Sequence, residues 1–158
     1  MNSPANENGA TNKIELRLRT MRTLWFALLM SIVMWYVFTL FWSRPSGAAP
    51  NNTLFLLFVG GAFLTMVIAF LIKNALVNKA IDQQQTLLVQ QAYVVAWAVN
   101  EVGGLLAIVD FVLTGDRYYY VMLIIAGCGQ LLLAPKRQDL VNASFKRTEA
   151  ANLWQEPT

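Results

Sequence analysis

Long apolar segments separated by short polar ones constrain this sequence more than any other feature. Four such segments lie at about residues 23–42, 53–72, 92–113 and 118–133. A helix of about 20 apolar residues crosses the roughly 30 Å hydrocarbon core of a bilayer, so the first three segments are long enough to span a membrane. The fourth is shorter and must stand nearly upright or extend its helix through the tyrosines at 118–120. The pattern predicts an all-α integral membrane protein with four transmembrane helices, arranged as two hairpins.

The composition excludes several other classes of protein. Hydrophobic residues make up 56% of the chain and charged residues 13%, whereas a soluble domain carries about 25% charged residues. The chain has no histidine, and Cys128 is its one cysteine, so no disulfide forms within it and no thiolate cluster can hold a metal. The net charge of +3 is too small to indicate nucleic acid. We expect the lipid bilayer as the surroundings, and no metal, cofactor or nucleic acid.

The polar segments predict the domain organisation. Residues 1–12, rich in Asn and Gly, are predicted to be a disordered tail, and residues 13–137 form the transmembrane domain. The middle segment, 74–91, has no Gly or Pro. It either extends spans two and three as a cytoplasmic helical hairpin turning near 82–86, or it is a solvated loop. Residues 138–158 form a cytoplasmic tail, either an amphipathic helix or a frayed, solvated end.

The basic residues predict the orientation of the chain. The N-terminal flank and the C-terminal tail hold four Lys or Arg each, the middle segment two, and each of the other two loops one. With both termini on one side, that side holds ten and the opposite side two. Because Lys and Arg accumulate in cytoplasmic loops, we expect both termini to lie in the cytoplasm and the chain to lie in the cell's inner (plasma) membrane.

One carboxylic acid is predicted to lie near the centre of the membrane. Glu101 is about ten residues into span three, with Asn100 beside it. A charged side chain at that depth costs about 2.5–3.5 kcal/mol on insertion scales, so it is expected to face protein or water, and in hydrocarbon it would take up a proton. Other polar side chains at comparable depth are those of Ser31, Thr65 and Gln130. None is basic, so no cation within the chain neutralises Glu101 in the membrane.

Asp110 is too far from Glu101 to form a catalytic dyad. The two residues are nine positions apart, which places them on opposite faces of a helix and about 13 Å apart along its axis. Asp110 is expected near the outer interface, either solvated or in contact with Arg117.

Small residues at helical spacing predict where the helices pack closely. Helices approach most closely where small residues recur four positions apart. The sites expected to use this are Gly61, Thr65, Gly103, Gly104, Ala107 and Gly127, and Ala126 and Gly129 flank the last of them. Packing within the bundle is the first interpretation, and self-association of the chain is the second.

These features favour a non-catalytic function. No nucleophile–base pair can be assembled from the residues in the spans, so we do not expect an enzyme. The first hypothesis is a small multi-pass membrane subunit or scaffold that stabilises a larger membrane complex or a homo-oligomer. In it, Glu101 joins helices by a hydrogen bond. The second is a component of a proton, cation or small-solute pathway, with Glu101 as the binding group and Asn100, Ser31, Thr65 and Gln130 as candidate partners.

Overall fold

The structure is a computed structural model that describes residues 4–42, 52–115 and 117–144. Every regular element in these ranges is helical, which confirms the all-α prediction for the described residues. The elements are α1 (Pro4–Phe41), α2 (Asn52–Asp82), α3 (Thr86–Thr114), a 3-10 turn (Arg117–Tyr119), α4 (Tyr120–Leu132) and α5 (Arg137–Ser144). The predicted first loop and most of the predicted C-terminal tail lie outside the described residues.

Three of the described helices are long and apolar enough to cross a membrane. They are α1 from Ile14 onward, α2 and α3, with 28, 31 and 29 residues. By contrast, α4 has 13 residues, and the chain bends by 40° between it and α5. Pro135 lies at that bend, where its missing N–H and fixed φ prevent the helix from continuing. The pair is either one broken span or a re-entrant loop, so the predicted number of four spans is not confirmed.

The N-terminal segment differs from the sequence-based expectation. α1 begins at Pro4, within the 1–12 segment for which the composition predicts disorder. Proline is tolerated in the first turn of a helix because its missing N–H has no partner there, and no further proline follows before Pro45. A single helix therefore joins this segment to the first span.

α2 and α3 form an antiparallel pair joined by a tight turn at 83–85, within the 82–86 interval predicted from the sequence. Gln84 has a left-handed backbone conformation (φ 52°), and the Gln85 N–H donates to the Ala80 carbonyl oxygen at 3.0 Å. The Lys73 ammonium group lies over the Tyr93 ring, 5.3 Å from its centroid. The two helices thus stay together from the turn into the apolar segments.

α1 makes its helix–helix contacts with α3 and α4, and not to any comparable extent with α2 in the described part of the chain. α2 in turn packs against α3 and α4. The predicted arrangement as two hairpins is therefore not confirmed. The physical reason is that the polar groups of α1 find their partners on α3 and α4, as described below.

The buried apolar side chains form two clusters along the bundle. One lies toward the α2–α3 turn and is built around Met21, Tyr93, Trp97 and Leu140. The other lies toward the opposite end and is built around Ile32, Phe111, Tyr119 and Met122. On α1, α3 and α4, the residues between the two clusters include Ser31, Asn100, Glu101 and Gln130. We call these four residues the polar layer.

Candidate functional site

Glu101 joins α3 to α1 through a side-chain hydrogen bond. The Ser31 hydroxyl donates to Glu101 Oε1 and also lies 2.8 Å from the Leu28 carbonyl oxygen of its own helix. Both Ser31 and Glu101 are half-buried. The carboxyl group predicted to face protein is therefore in contact with a second helix, although part of it stays accessible from outside the bundle.

Asn100 and Gln130 join α3 to α4 in the interior of the bundle. Asn100 Nδ2 donates to the Ala126 carbonyl oxygen at 2.9 Å and to Gln130 Oε1 at 3.2 Å. Both side chains are 1% exposed. Asn100 Oδ1 and Gln130 Nε2 have no hydrogen-bond partner among the described residues. The polar layer thus keeps one unused acceptor and one unused donor in an apolar interior, where an unpaired polar group is costly.

The side chain of Asn100 also requires a glycine on α4. A Cβ atom at Gly129 would collide with the Asn100 carboxamide and would lie 2.9 Å from Met66 Cγ. Gly129 therefore allows α2, α3 and α4 to meet at one level. The glycine-rich run in this segment predicts a close approach, but its partner is an amide on α3 and not another small residue.

Two tryptophans stabilise the end of α4, a role that the sequence analysis missed. The last carbonyl groups of a helix lack partners within it. Trp25 Nε1 donates to the Gln130 carbonyl oxygen at 2.6 Å, and Trp97 Nε1 donates to the Leu133 carbonyl oxygen at 2.9 Å. Trp97 is fully buried. Tryptophan in a membrane protein is usually interpreted as an interfacial anchor, so its position in the sequence carries no signal for this role.

Thr65 is separate from the polar layer. Its hydroxyl donates to the Ala62 carbonyl oxygen of its own helix at 2.8 Å, and a Cβ atom at Gly103 would lie 2.8 Å from Thr65 Oγ1. The structure therefore places Thr65 at the α2–α3 contact, as the packing prediction implies. It is not a hydrogen-bond partner of Glu101 or Asn100.

Most of the other predicted packing residues lie at helix contacts. A Cβ atom at Gly61 would lie 3.1 Å from Leu106 Cδ1, and one at Gly104 would lie 3.7 Å from Ala126 Cβ. Ala107 is fully buried in the second apolar cluster, at the end opposite the α2–α3 turn. Gly127 is the exception, because a Cβ atom there would meet no described atom within 4 Å. The close approach on α4 is made by Gly129 instead, because it lies on the face of α4 that is turned toward α2 and α3.

Asp110 is fully buried, so the expectation that it is solvated is wrong. The Thr114 hydroxyl lies 3.2 Å from Asp110 Oδ1 and 2.8 Å from the Asp110 carbonyl oxygen. Phe111, the next residue in the chain, and Tyr119 both belong to the second apolar cluster, and their tilted rings have centroids 4.8 Å apart. Tertiary packing at this end of the bundle, and not distance from the membrane centre, decides the surroundings of this carboxyl group.

A second polar cluster lies at the junction of α2, α3 and α5. The Tyr93 hydroxyl donates to Asp139 Oδ2 at 2.6 Å, and the Lys136 N–H donates to the Tyr93 hydroxyl at 3.2 Å. Lys73 is 5% exposed and lies over the same tyrosine ring. These contacts hold α5 against the α2–α3 pair.

Two of the clefts on the described part of the chain are large enough to hold a ligand, and Glu101 lines neither. The larger, of about 1290 Å³, lies between α1 and the α4–α5 connection. The smaller, of about 310 Å³, is an apolar groove between α2 and α4. Within the described residues, no group of three or more Cys, Asp or Glu side chains is placed to hold a metal ion.

The comparisons with known proteins add no assignment. No protein-family model matches the sequence, and no significant similarity to a curated protein or a solved structure was found. Any assignment of function therefore rests on the geometry of the chain alone.

Proposed function

We propose that this protein is a small non-catalytic multi-pass membrane subunit or scaffold that stabilises a larger membrane complex or a homo-oligomer. The observation that supports this most directly is the use made of the polar layer. Ser31 bonds to Glu101, Asn100 bonds to Gln130, and Trp25 bonds to the Gln130 backbone. These side chains join helices to one another, and the four residues of the polar layer line neither of the two clefts described above.

The chemistry of the described residues supports a role without catalysis. An enzyme site brings a nucleophile, a base and a stabilising group around one reacting atom. Here the two acids of α3 lie on opposite faces of the helix, about 13 Å apart along its axis. Cys128 is exposed on α4, and the chain has no histidine that could act as its base.

The outer surface supports association within a membrane. Large apolar side chains project outward along α1 and α2, including Met34, which is 65% exposed, and Leu71, which is 61% exposed. Lipid chains or helices of a neighbouring subunit would cover such faces. The ten-to-two distribution of basic residues supports insertion in the inner membrane with both termini in the cytoplasm.

Purification from the native membrane in a mild detergent tests this proposal. The mass of the protein–detergent complex, corrected for bound detergent, is expected to correspond to several copies or to include other subunits. Those subunits would be identified by mass spectrometry. A chain that stays monomeric and without partners in several mild detergents, and after crosslinking in intact membranes, would contradict the proposal.

A second candidate is a pathway for protons, cations or small solutes that uses Glu101. The half-buried state of the Glu101 carboxyl, together with the unpaired atoms of Asn100 and Gln130, favours this alternative. Proton flux into liposomes containing the purified protein distinguishes the two functions. Glu101→Gln keeps the shape of the side chain and removes its ionisable proton. Loss of flux in a normally assembled Glu101→Gln variant would support the pathway, whereas no flux above empty liposomes for the parent would exclude a proton pathway by the chain alone.

A further inference from the structure

A basic cleft lies where α1 enters its apolar segment. Its volume is about 1290 Å³, and α1 contributes Arg19, Arg22 and Trp25 to one wall. The other wall contains Pro135 and Arg137, at the connection between α4 and α5. The cleft is therefore built by tertiary structure, since Arg137 is far from the other two arginines along the chain.

The cleft carries a net positive charge, because three arginines and one glutamate line it. Arg19, Arg22 and Arg137 are exposed, and Glu15 is the carboxylate among the lining residues. None of the three guanidinium groups forms an ion pair within the part of the chain that the structure describes. Arg17, on another face of α1, is already engaged, because its Nη1 donates to the Thr86 hydroxyl at 2.7 Å. The charge in the cleft is thus available to an anion.

The order of residues along α1 matches the order of groups in a phospholipid. Arg19 and Arg22 are one helical turn apart and share a face. Arg22 directly precedes the apolar segment 23–42. If that segment spans the hydrocarbon core, the Arg22 guanidinium group lies at the depth of the lipid phosphates. Trp25 and Phe26 follow one turn deeper. The Trp25 indole is held by its bond to the Gln130 carbonyl, and Phe26 is 54% exposed. Positive charge is thus followed by aromatic surface, as the phosphate of a lipid is followed by its acyl chains.

We propose that this cleft binds an anionic glycerophospholipid, with Arg19, Arg22 and Arg137 around its phosphate and Trp25 and Phe26 against the start of its acyl chains. Arginine suits this role because its planar donor groups bind phosphate oxygens in pairs. Basic pockets between helices on the cytoplasmic side of membrane proteins are known to take anionic headgroups. The bound lipid would tie α1 to the α4–α5 connection. This inference depends on insertion in a membrane but not on the scaffold function.

Lipid titration of the purified full-length chain in a neutral detergent tests the proposal. The readouts are the rise in unfolding temperature and the number of bound lipids by native mass spectrometry, because a ligand that binds only the folded state raises its stability. Phosphatidylglycerol is expected to bind one molecule per chain and to raise the unfolding temperature, and phosphatidylcholine is not. Equal effects of the two lipids would overturn the proposal. An equal effect of inorganic phosphate without lipid would also overturn it, since the site would then take free phosphate.

Substitutions locate the binding to the cleft. Arg22→Gln is expected to weaken phosphatidylglycerol binding about fivefold, the equivalent of about 1 kcal/mol for one basic residue. Replacing all three arginines with glutamine is expected to weaken it about a hundredfold on the same scale. Lys79→Gln is the matched control, because Lys79 is an exposed basic residue on α2 outside the cleft. An equal loss for Lys79→Gln and Arg22→Gln would show that binding follows overall charge and would overturn the proposal.

A charge-preserving variant keeps the test usable if the glutamine triple variant does not fold. The three arginines are exposed, so their replacement is expected to leave the lipid-free unfolding temperature close to that of the parent. If the glutamine triple variant does not fold, replacement of all three by lysine takes its place. That variant keeps the positive charge, so it is expected to bind phosphatidylglycerol within tenfold of the parent. A loss of more than tenfold relative to the parent would contradict an electrostatic site here.

Discussion

The Ser31–Glu101 hydrogen bond offers the sharpest test of the polar layer, through removal of either partner. Glu101→Leu and Ser31→Ala each delete the link between α1 and α3. Interhelical hydrogen bonds in membrane proteins contribute about 0.6 kcal/mol on average and about 1.7 kcal/mol at most. Because both side chains are half-buried, we expect this bond to contribute an amount between those values. After Glu101→Leu the Ser31 hydroxyl still has the Leu28 carbonyl oxygen at 2.8 Å, so no donor is left unpaired.

We therefore expect each single substitution to lower the free energy of unfolding by about 1 kcal/mol. The double variant is expected to lose no more than the larger single loss, because both substitutions remove the same bond. That outcome corresponds to a coupling energy of about 1 kcal/mol in a double-mutant cycle. Glu101→Gln is expected to stay close to the parent, since its carboxamide oxygen still accepts from the Ser31 hydroxyl.

The geometry around Ser31 gives its hydroxyl two possible acceptors. One hydroxyl hydrogen serves one acceptor at a time, yet Ser31 Oγ lies within reach of both Leu28 O and Glu101 Oε1. The carboxamide of Glu101→Gln has both an acceptor and a donor, so it can bond to Ser31 whichever acceptor the hydroxyl uses.

The assay is reversible unfolding of the purified chain in mixed micelles, followed by tryptophan fluorescence or circular dichroism. Val102→Ala is the control, because Val102 follows Glu101 on α3 and is 44% exposed. It is expected to change the free energy of unfolding by less than about 0.5 kcal/mol, as for other surface substitutions. Additive losses in the double variant would refute a direct bond between the two side chains. A loss of stability for Glu101→Gln as large as that for Glu101→Leu would show that the carboxamide oxygen does not replace the carboxyl oxygen as the acceptor for Ser31.

Three further predictions concern packing, the end of α4 and topology. Gly103→Ala is expected to destabilise the fold by about 1–3 kcal/mol, because the added Cβ would press on the facing helix. Gly127→Ala is expected to cause no measurable change, because the added Cβ lies in open space. Thermal unfolding measures both variants. Trp97→Phe removes the donor to a buried α4 carbonyl group and is expected to cost about 1–3 kcal/mol by chemical unfolding. In a chain without its native cysteine, a cysteine at Ser46 is expected to react with an impermeant thiol reagent in intact cells, and one at the exposed Asn142 only after lysis.

Each of these predictions has an outcome that contradicts it. Equal losses for the two glycine variants would show that the α2–α3 approach is not as close as the structure has it. An unchanged Trp97→Phe protein would mean that water or another donor already serves the carbonyl group. Labelling of position 142 but not of position 46 in intact cells would reverse the orientation, and labelling of both would favour a chain with an odd number of spans.

The sequence by itself determined the class of this protein, because that class follows from properties summed along the chain. The lengths and apolar character of α1, α2 and α3 report how each segment partitions between water and lipid. The turn at 83–85 follows from the polar residues at that point, and the expectation that Glu101 faces protein or water follows from the cost of exposing an acid to lipid. None of these conclusions requires knowledge of which helices touch.

The tertiary structure decided the features that depend on which helix faces meet. α1 packs with α3 and α4 because Ser31 and Trp25 bond there, although α2 is its neighbour in the chain. Gly129, not Gly127, lies at the close contact because it faces Asn100. The two glycines are about 200° apart around the helix axis, at about 100° per residue, and so lie on nearly opposite faces of α4. Local composition describes the medium around a segment, whereas these pairings are set by single contacts between residues far apart in sequence.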